Sequence, residues 1–164
     1  MLSVLAIAVF AGLLIYAACF DIARMIIPNW VSIALAASFP VFALAQGVAP
    51  FTVGLHLLVG AGVLVVGFFL FHGNIIGGGD AKLLAAAATW AGVAGFAPLF
   101  FWMAMSGGVL AVVLMNARKW VPYVEGAPGF VNKLLIRGGG IPYGVAIMCG
   151  GLMSIPALPF VLGR

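Results

Sequence analysis

Four stretches without a single Lys, Arg, Asp or Glu, residues 1–20, 25–79, 83–117 and 138–163, make up nearly all of this 164-residue chain. A membrane-spanning helix needs about 20 consecutive apolar residues, and runs of this length leave little choice of fold. The expected class is all-α, a polytopic integral membrane protein. Only 6% of the residues are charged and 66% are hydrophobic, whereas a soluble globular domain carries about 25% charged residues.

The first twenty residues lack the basic leading segment and small-x-small cleavage site of a signal peptide, so they read as a retained helix. The second run divides at Gln46-Gly47-Val48-Ala49-Pro50. The third, written as one helix at 1.5 Å per residue, would reach about 52 Å, too long for one crossing. It is expected to break around Gly92 to Pro98. Six helices result, near 1–20, 29–46, 51–72, 81–94, 97–117 and 141–162, in a single domain covering 1–164. The segments between alternate helices, 21–28, 72–82 and 118–140, then share one side. They hold Arg24, Lys82, Arg118, Lys119, Lys133 and Arg137, leaving only Arg164 for the other. Basic residues gather on the cytoplasmic side, so both termini are expected outside. A single crossing over 83–117 would put 118–137 on the wrong side.

The acids follow the same parity. Asp21 comes after one crossing and Asp80 after three, so two of the three acids (Glu125 is the third) fall at the cytoplasmic boundary. An ionisable group at such a boundary is costly if unpaired and is a functional candidate. Two neighbouring carboxylates do not easily both ionise, and such a pair shares a proton. One member can then act as general base on a water while the other hydrogen-bonds the scissile carbonyl. This is aspartic protease chemistry, without metal, cofactor or covalent nucleophile. The plainer alternative pairs Asp21 with Arg24 and Asp80 with Lys82 as boundary ion pairs. Gly77, Gly78 and Gly79, lacking Cβ, can take positive φ and let another chain approach closely. A flexible connector is the plain alternative there, and no phosphate-binding G-x-x-x-x-G-K-[ST] pattern occurs.

Three segments together resemble a known family. Gly77-Gly78-Gly79-Asp80 matches the GxGD motif of membrane aspartic peptidases. The longer GGGDAKLLAAAATWAG, Gly77 to Gly92, resembles the prepilin peptidase version. DIARMIIPNW, Asp21 to Trp30, resembles that family's first catalytic segment, and IPYGVAI, Ile141 to Ile147, a third segment. The resemblance implies that Asp21 and Asp80 are the catalytic pair, with Gly77, Gly78 and Gly79 as the active-site loop beside Asp80. Arg24, Pro28, Asn29, Lys82, Tyr143 and Gly144 would be supporting residues. It also implies cleavage of basic leaders from type IV prepilins or pseudopilins at the cytoplasmic face of the bacterial inner membrane. The substrate's apolar helix would enter laterally through lipid, and the pilus assembly machinery would be the wider partner. Longer relatives add an N-terminal methylating domain with paired cysteines. The chain resembles instead the short forms of tight-adherence (Flp) pilus systems.

Beside these readings stand blander ones. Lys82 can snorkel, Arg24 can set topology, Pro28-Asn29 starts a helix, and Tyr143 can be an interface aromatic. Cys19 and Cys149 read as buried small hydrophobes, with no Cys-x-x-Cys pair. His56 falls toward the outer side and His72 at the inner boundary. Phe130, Val131, Leu134 and Leu135, among the basic residues of 118–137, suit an interfacial helix on anionic lipid. Small residues such as Gly140 and Gly144 fit packing within the bundle as readily as dimerisation. The +4 net charge comes from too few residues for a nucleic-acid surface. No HExxH set or activated serine is evident. The rival function is a small transporter component in which Asp21 and Asp80 carry protons or cations.

Overall fold

The computed structural model describes residues 1–120, 129–136 and 139–162. Among these every regular element is helical. The order is α1 (Leu2–Arg24), α2 (Asn29–Ala45), α3 (Pro50–His72), α4 (Gly78–Trp120), α5 (Gly129–Leu135), α6 (Tyr143–Met153), a 3-10 turn (Ile155–Ala157) and α7 (Pro159–Leu162). Three helices, α1, α3 and α4, are long and apolar enough to cross a membrane, and α2 and α6 are shorter apolar helices.

The long helix α4 is the axis of the bundle. It packs against α3, α2 and α6, while α1 packs against α6 and α2. Alanine makes this possible: Ala81, Ala85, Ala86, Ala87, Ala88 and Ala91 are all buried, and small residues let helix backbones approach in the absence of a hydrophobic drive between lipid-solvated helices. The neighbours reciprocate with glycine. A Cβ on Gly60 of α3 would overlap Thr89 Oγ1, and one on Gly67 would lie 3.0 Å from the Cβ of Ala81. Large apolar side chains such as Leu58, Phe68, Phe69, Val112 and Met115 point outward, as lipid-facing residues do.

Trp90 anchors the core. Its ring stacks on Phe10 of α1 at 4.8 Å between centroids and meets Phe39 of α2 edge-on at 5.7 Å and Phe160 at 5.9 Å. Its Nε1–H donates to the carbonyl of Leu35 over 2.7 Å, the polar partner that a buried indole requires.

The break expected in the third apolar run lies at Gly92, where φ 59° and ψ −160° interrupt the helix. That region is essentially restricted to glycine. The ring of His56 occupies the space a Cβ on Gly92 would need. Its Nδ1 lies 2.9 Å from the carbonyl of Thr89. A carbonyl can only accept, so Nδ1 carries the proton. His56 thus serves the helix break as a buried packing residue.

Several expected boundaries move. The first helix does not stop at residue 20: α1 runs to Arg24 and ends on Met25 in the left-handed conformation (φ 57°), so Asp21 lies inside its last turn. Gly78 and Gly79 are not loop residues but open α4, and only Gly77 of the three precedes it. Among the described residues the glycines with positive φ are Gly47 and Gly92, neither in this triplet; the triplet's glycines serve close approach alone. The expected helix over 141–162 is instead three pieces, because Pro156 and Pro159 lack the N–H that a continuous helix needs. Cys19 is exposed rather than buried, and Cys149 is half-buried. The segment 118–140 contains the end of α4 and the seven-residue α5; its residues 121–128 and 137–138, with Glu125 and Arg137, lie outside the described residues, as does Arg164.

Candidate active site

The buried stripe of α1 reads Ala6, Phe10, Leu14, Ala17, Asp21, steps of three and four that keep one helical face toward the core. Asp21 therefore continues an apolar stripe and is only 5% exposed. A buried carboxylate needs donors. The backbone N–H of Gly144 supplies one, reaching Asp21 Oδ2 over 2.8 Å. Gly144 is the second residue of α6, so this N–H is among those left unpaired at a helix start. The positive end of α6 thus faces the Asp21 carboxylate. Glycine is required, because a Cβ here would fall 2.9 Å from Oδ2 and 3.1 Å from the Cβ of Asp21.

Asp80 is the third residue of α4 and half-buried. Its side chain folds back on the backbone N–H of Gly77, the reach of a first-turn carboxylate to its capping residue. A Cβ on Gly77 would stand 2.7 Å from Asp80 Oδ2. Gly79 lies against Ile27, with 3.1 Å from its would-be Cβ to the Cβ of Ile27, and Gly78 lies against the Phe71 ring. Gly79 thus lets the start of α4 lie against the connection that leaves Asp21, and Gly78 lets it lie against α3. The two carboxylates come close enough for the charge of Asp21 to act on Asp80.

The nearby cations are engaged elsewhere. Arg24 lies over the Phe20 ring at 4.7 Å. Lys82 Nζ donates to Asn29 Oδ1 over 2.9 Å, joining α4 to the first residue of α2. Pro28 caps α2 with an extended backbone (ψ 133°). The expected alternative pairs Asp21–Arg24 and Asp80–Lys82 are therefore not the partners these side chains take. Tyr143 is 44% exposed, its ring beside Gly107 in the second half of α4. His72 is exposed. No His, Cys, Asp and Glu cluster able to hold a metal occurs among the described residues.

A model of the type IV leader peptidase family matches residues 8–112. The chain belongs to that family. The match takes in Asp21 and Gly77–Asp80 and ends before α6, so the Gly144 contact to Asp21 is a feature added by the fold. Neither the curated proteins nor the solved structures contain a match to the chain. A type IV leader peptidase with α1, α3 and α4 as apolar helices of spanning length is a membrane peptidase.

Two contacts escaped sequence reasoning. Gly144 entered as a supporting residue without a partner; the clue to its contact with Asp21 is Pro142 two residues earlier, which suits a helix start and leaves the N–H groups after it free. Ile27 entered only as part of the Asp21 to Trp30 segment, and its contact with Gly79 depends on the approach of α4.

Proposed function

We propose that this type IV leader peptidase is an aspartic endopeptidase that removes leader peptides from type IV prepilins or pseudopilins, in the manner of the short Flp-type enzymes. Asp21 and Asp80 are its catalytic pair. The observation that carries this reading is the approach of the two carboxylates, each held by a backbone N–H and neither neutralised by Arg24 or Lys82. One carboxylate takes a proton from a water, which attacks the scissile carbonyl. The protonated partner donates a hydrogen bond to the carbonyl oxygen, and the proton passes on to the leaving amine as the tetrahedral intermediate collapses.

The chain crosses the inner membrane six times in this reading, α4 crossing once on each side of Gly92, with both termini outside. Arg24, Lys82, Arg118 and Lys119 then lie on the cytoplasmic side. Asp21 and Asp80 meet the leader at that face while the pilin's apolar helix stays in lipid. Gly77, Gly78 and Gly79 bring α4 to its place beside Asp21; Asn29 and Lys82 tie α4 to α2.

Co-expression with a prepilin from a pilus system tests the function. The expected result is a shorter pilin whose mass matches loss of the basic leader. An uncleaved prepilin beside a membrane-inserted enzyme, together with proton flux through proteoliposomes of the purified protein, would favour a transporter instead.

A further inference from the structure

On the side of α4 away from the two carboxylates lies a groove of about 510 Å³ between α2, α3 and α4. At 100° per residue, Lys82, Ala85, Ala86 and Thr89 share one face of the helix, and Asp80 projects from the opposite one. All four line the groove, so a peptide seated there would not present its backbone to Asp80. The groove is apolar along its length, with Ile33, Ala36 and Leu64 among its walls, and polar at one end, where exposed Lys82 meets Asn29. One helical turn beyond Asn29 stands Ser32. It is 6% exposed, and its hydroxyl is the buried side-chain group without a hydrogen-bond partner among the described residues. A buried hydroxyl left unpaired is costly and calls for an explanation.

We propose that this groove binds an anionic glycerophospholipid. Its phosphate meets the Lys82 ammonium and the Asn29 amide, its ester carbonyl accepts from the Ser32 hydroxyl, and its acyl chain fills the apolar length. The order of the groove's chemistry matches the order along such a lipid: a cation at the mouth, a lone donor one turn further in, then hydrocarbon. Charge complementarity at Lys82 selects an anionic over a zwitterionic head group. The volume falls within the range of small-molecule sites. The site needs only a bilayer around the bundle and stands apart from the peptidase chemistry.

The test is thermal unfolding of the purified full-length protein in neutral detergent, with added phosphatidylglycerol or phosphatidylcholine of identical chains, or with glycerol phosphate. A ligand that binds only the folded state raises the unfolding temperature. Phosphatidylglycerol is expected to raise it well beyond phosphatidylcholine, and glycerol phosphate to leave it unchanged. Lys82→Gln should remove the preference for the anionic lipid. Ala61→Trp, which fills the groove from its exposed rim, should remove the shift. Ser32→Ala should match or exceed the native unfolding temperature without lipid, and show a smaller shift with it. Equal shifts with both lipids, a full shift with glycerol phosphate, or an undiminished shift in Ser32→Ala and Lys82→Gln would overturn the assignment. So would displacement of the bound lipid by a prepilin's apolar segment. None of these readouts depends on cleavage, so failure here is distinct from failure of the peptidase reading.

Discussion

The backbone N–H at Gly144, opening α6, reaches Oδ2 of Asp21 at the foot of α1 over 2.8 Å. The contact spans 123 positions of sequence and ties the last third of the chain to the first. It works only because residue 144 has no Cβ.

Gly144→Ala should therefore reduce prepilin cleavage by tenfold or more, equivalent to about 1.4 kcal/mol in the barrier. The added methyl meets Asp21 at 2.9 Å and displaces either the carboxylate or α6. Gly140→Ala is the companion measurement. A Cβ there meets nothing within 4 Å, and its initial cleavage rate should equal that of the native enzyme.

Packing of α3 on α4 allows a contrast within one helix. Gly60→Ala drives a methyl into Thr89 Oγ1 and toward the carbonyl of Ala85, and overpacking of this kind costs about 1–3 kcal/mol. Gly62→Ala, two positions on, meets open space and should be neutral or mildly stabilising. Unfolding temperatures in one detergent, measured side by side, check the pair.

Trp90→Phe removes the indole N–H that reaches Leu35 while keeping most of the ring contact with Phe10 and Phe39. Its expected cost is about 1 kcal/mol. Trp90→Ala leaves a cavity at the meeting point of α1, α2 and α4 and should cost about 3–5 kcal/mol. Equal losses in the two variants would show that the hydrogen bond rather than the volume dominates.

Arg118 collects three backbone carbonyls. Its Nε reaches Leu134, and its two terminal nitrogens reach Gly139 and Gly140, at 2.7, 2.7 and 2.6 Å. The last two lie just ahead of Ile141–Gly144, the approach to Asp21. Lysine, a point charge without the guanidinium fork, does not reproduce this set. Arg118→Lys and Arg118→Ala should each lower the cleavage rate several-fold. Full activity in Arg118→Lys would reduce the residue to a charge that orients the chain in the membrane.

The helices were legible because their cause is local. Uncharged runs, the Gly47 turn, Pro28 before α2 and Pro50 starting α3 all act on their own neighbourhoods. Gly92 was legible as a break from length alone. The helix over 141–162 was misread because its hydropathy is continuous, and Pro156 and Pro159 were given no weight against it. Asp21 and Asp80 stood out as charges in an apolar chain. What Lys82 touches was not legible: Asp80, two residues away, lies on the other face of the helix, and Asn29 comes within reach only through packing of α2 on α4. The place of His56 likewise depends on the three-dimensional break at Gly92.

Cleavage of a co-expressed prepilin by Asp21→Asn and Asp80→Asn, each compared with the native enzyme at matched membrane levels, tests the two-carboxylate account most directly. Asparagine keeps the shape and the contacts to Gly144 or Gly77 but cannot accept a proton from water. Both variants are predicted to leave the prepilin at full length. Appearance of mature pilin with either one would show that its carboxylate is dispensable and contradict the mechanism.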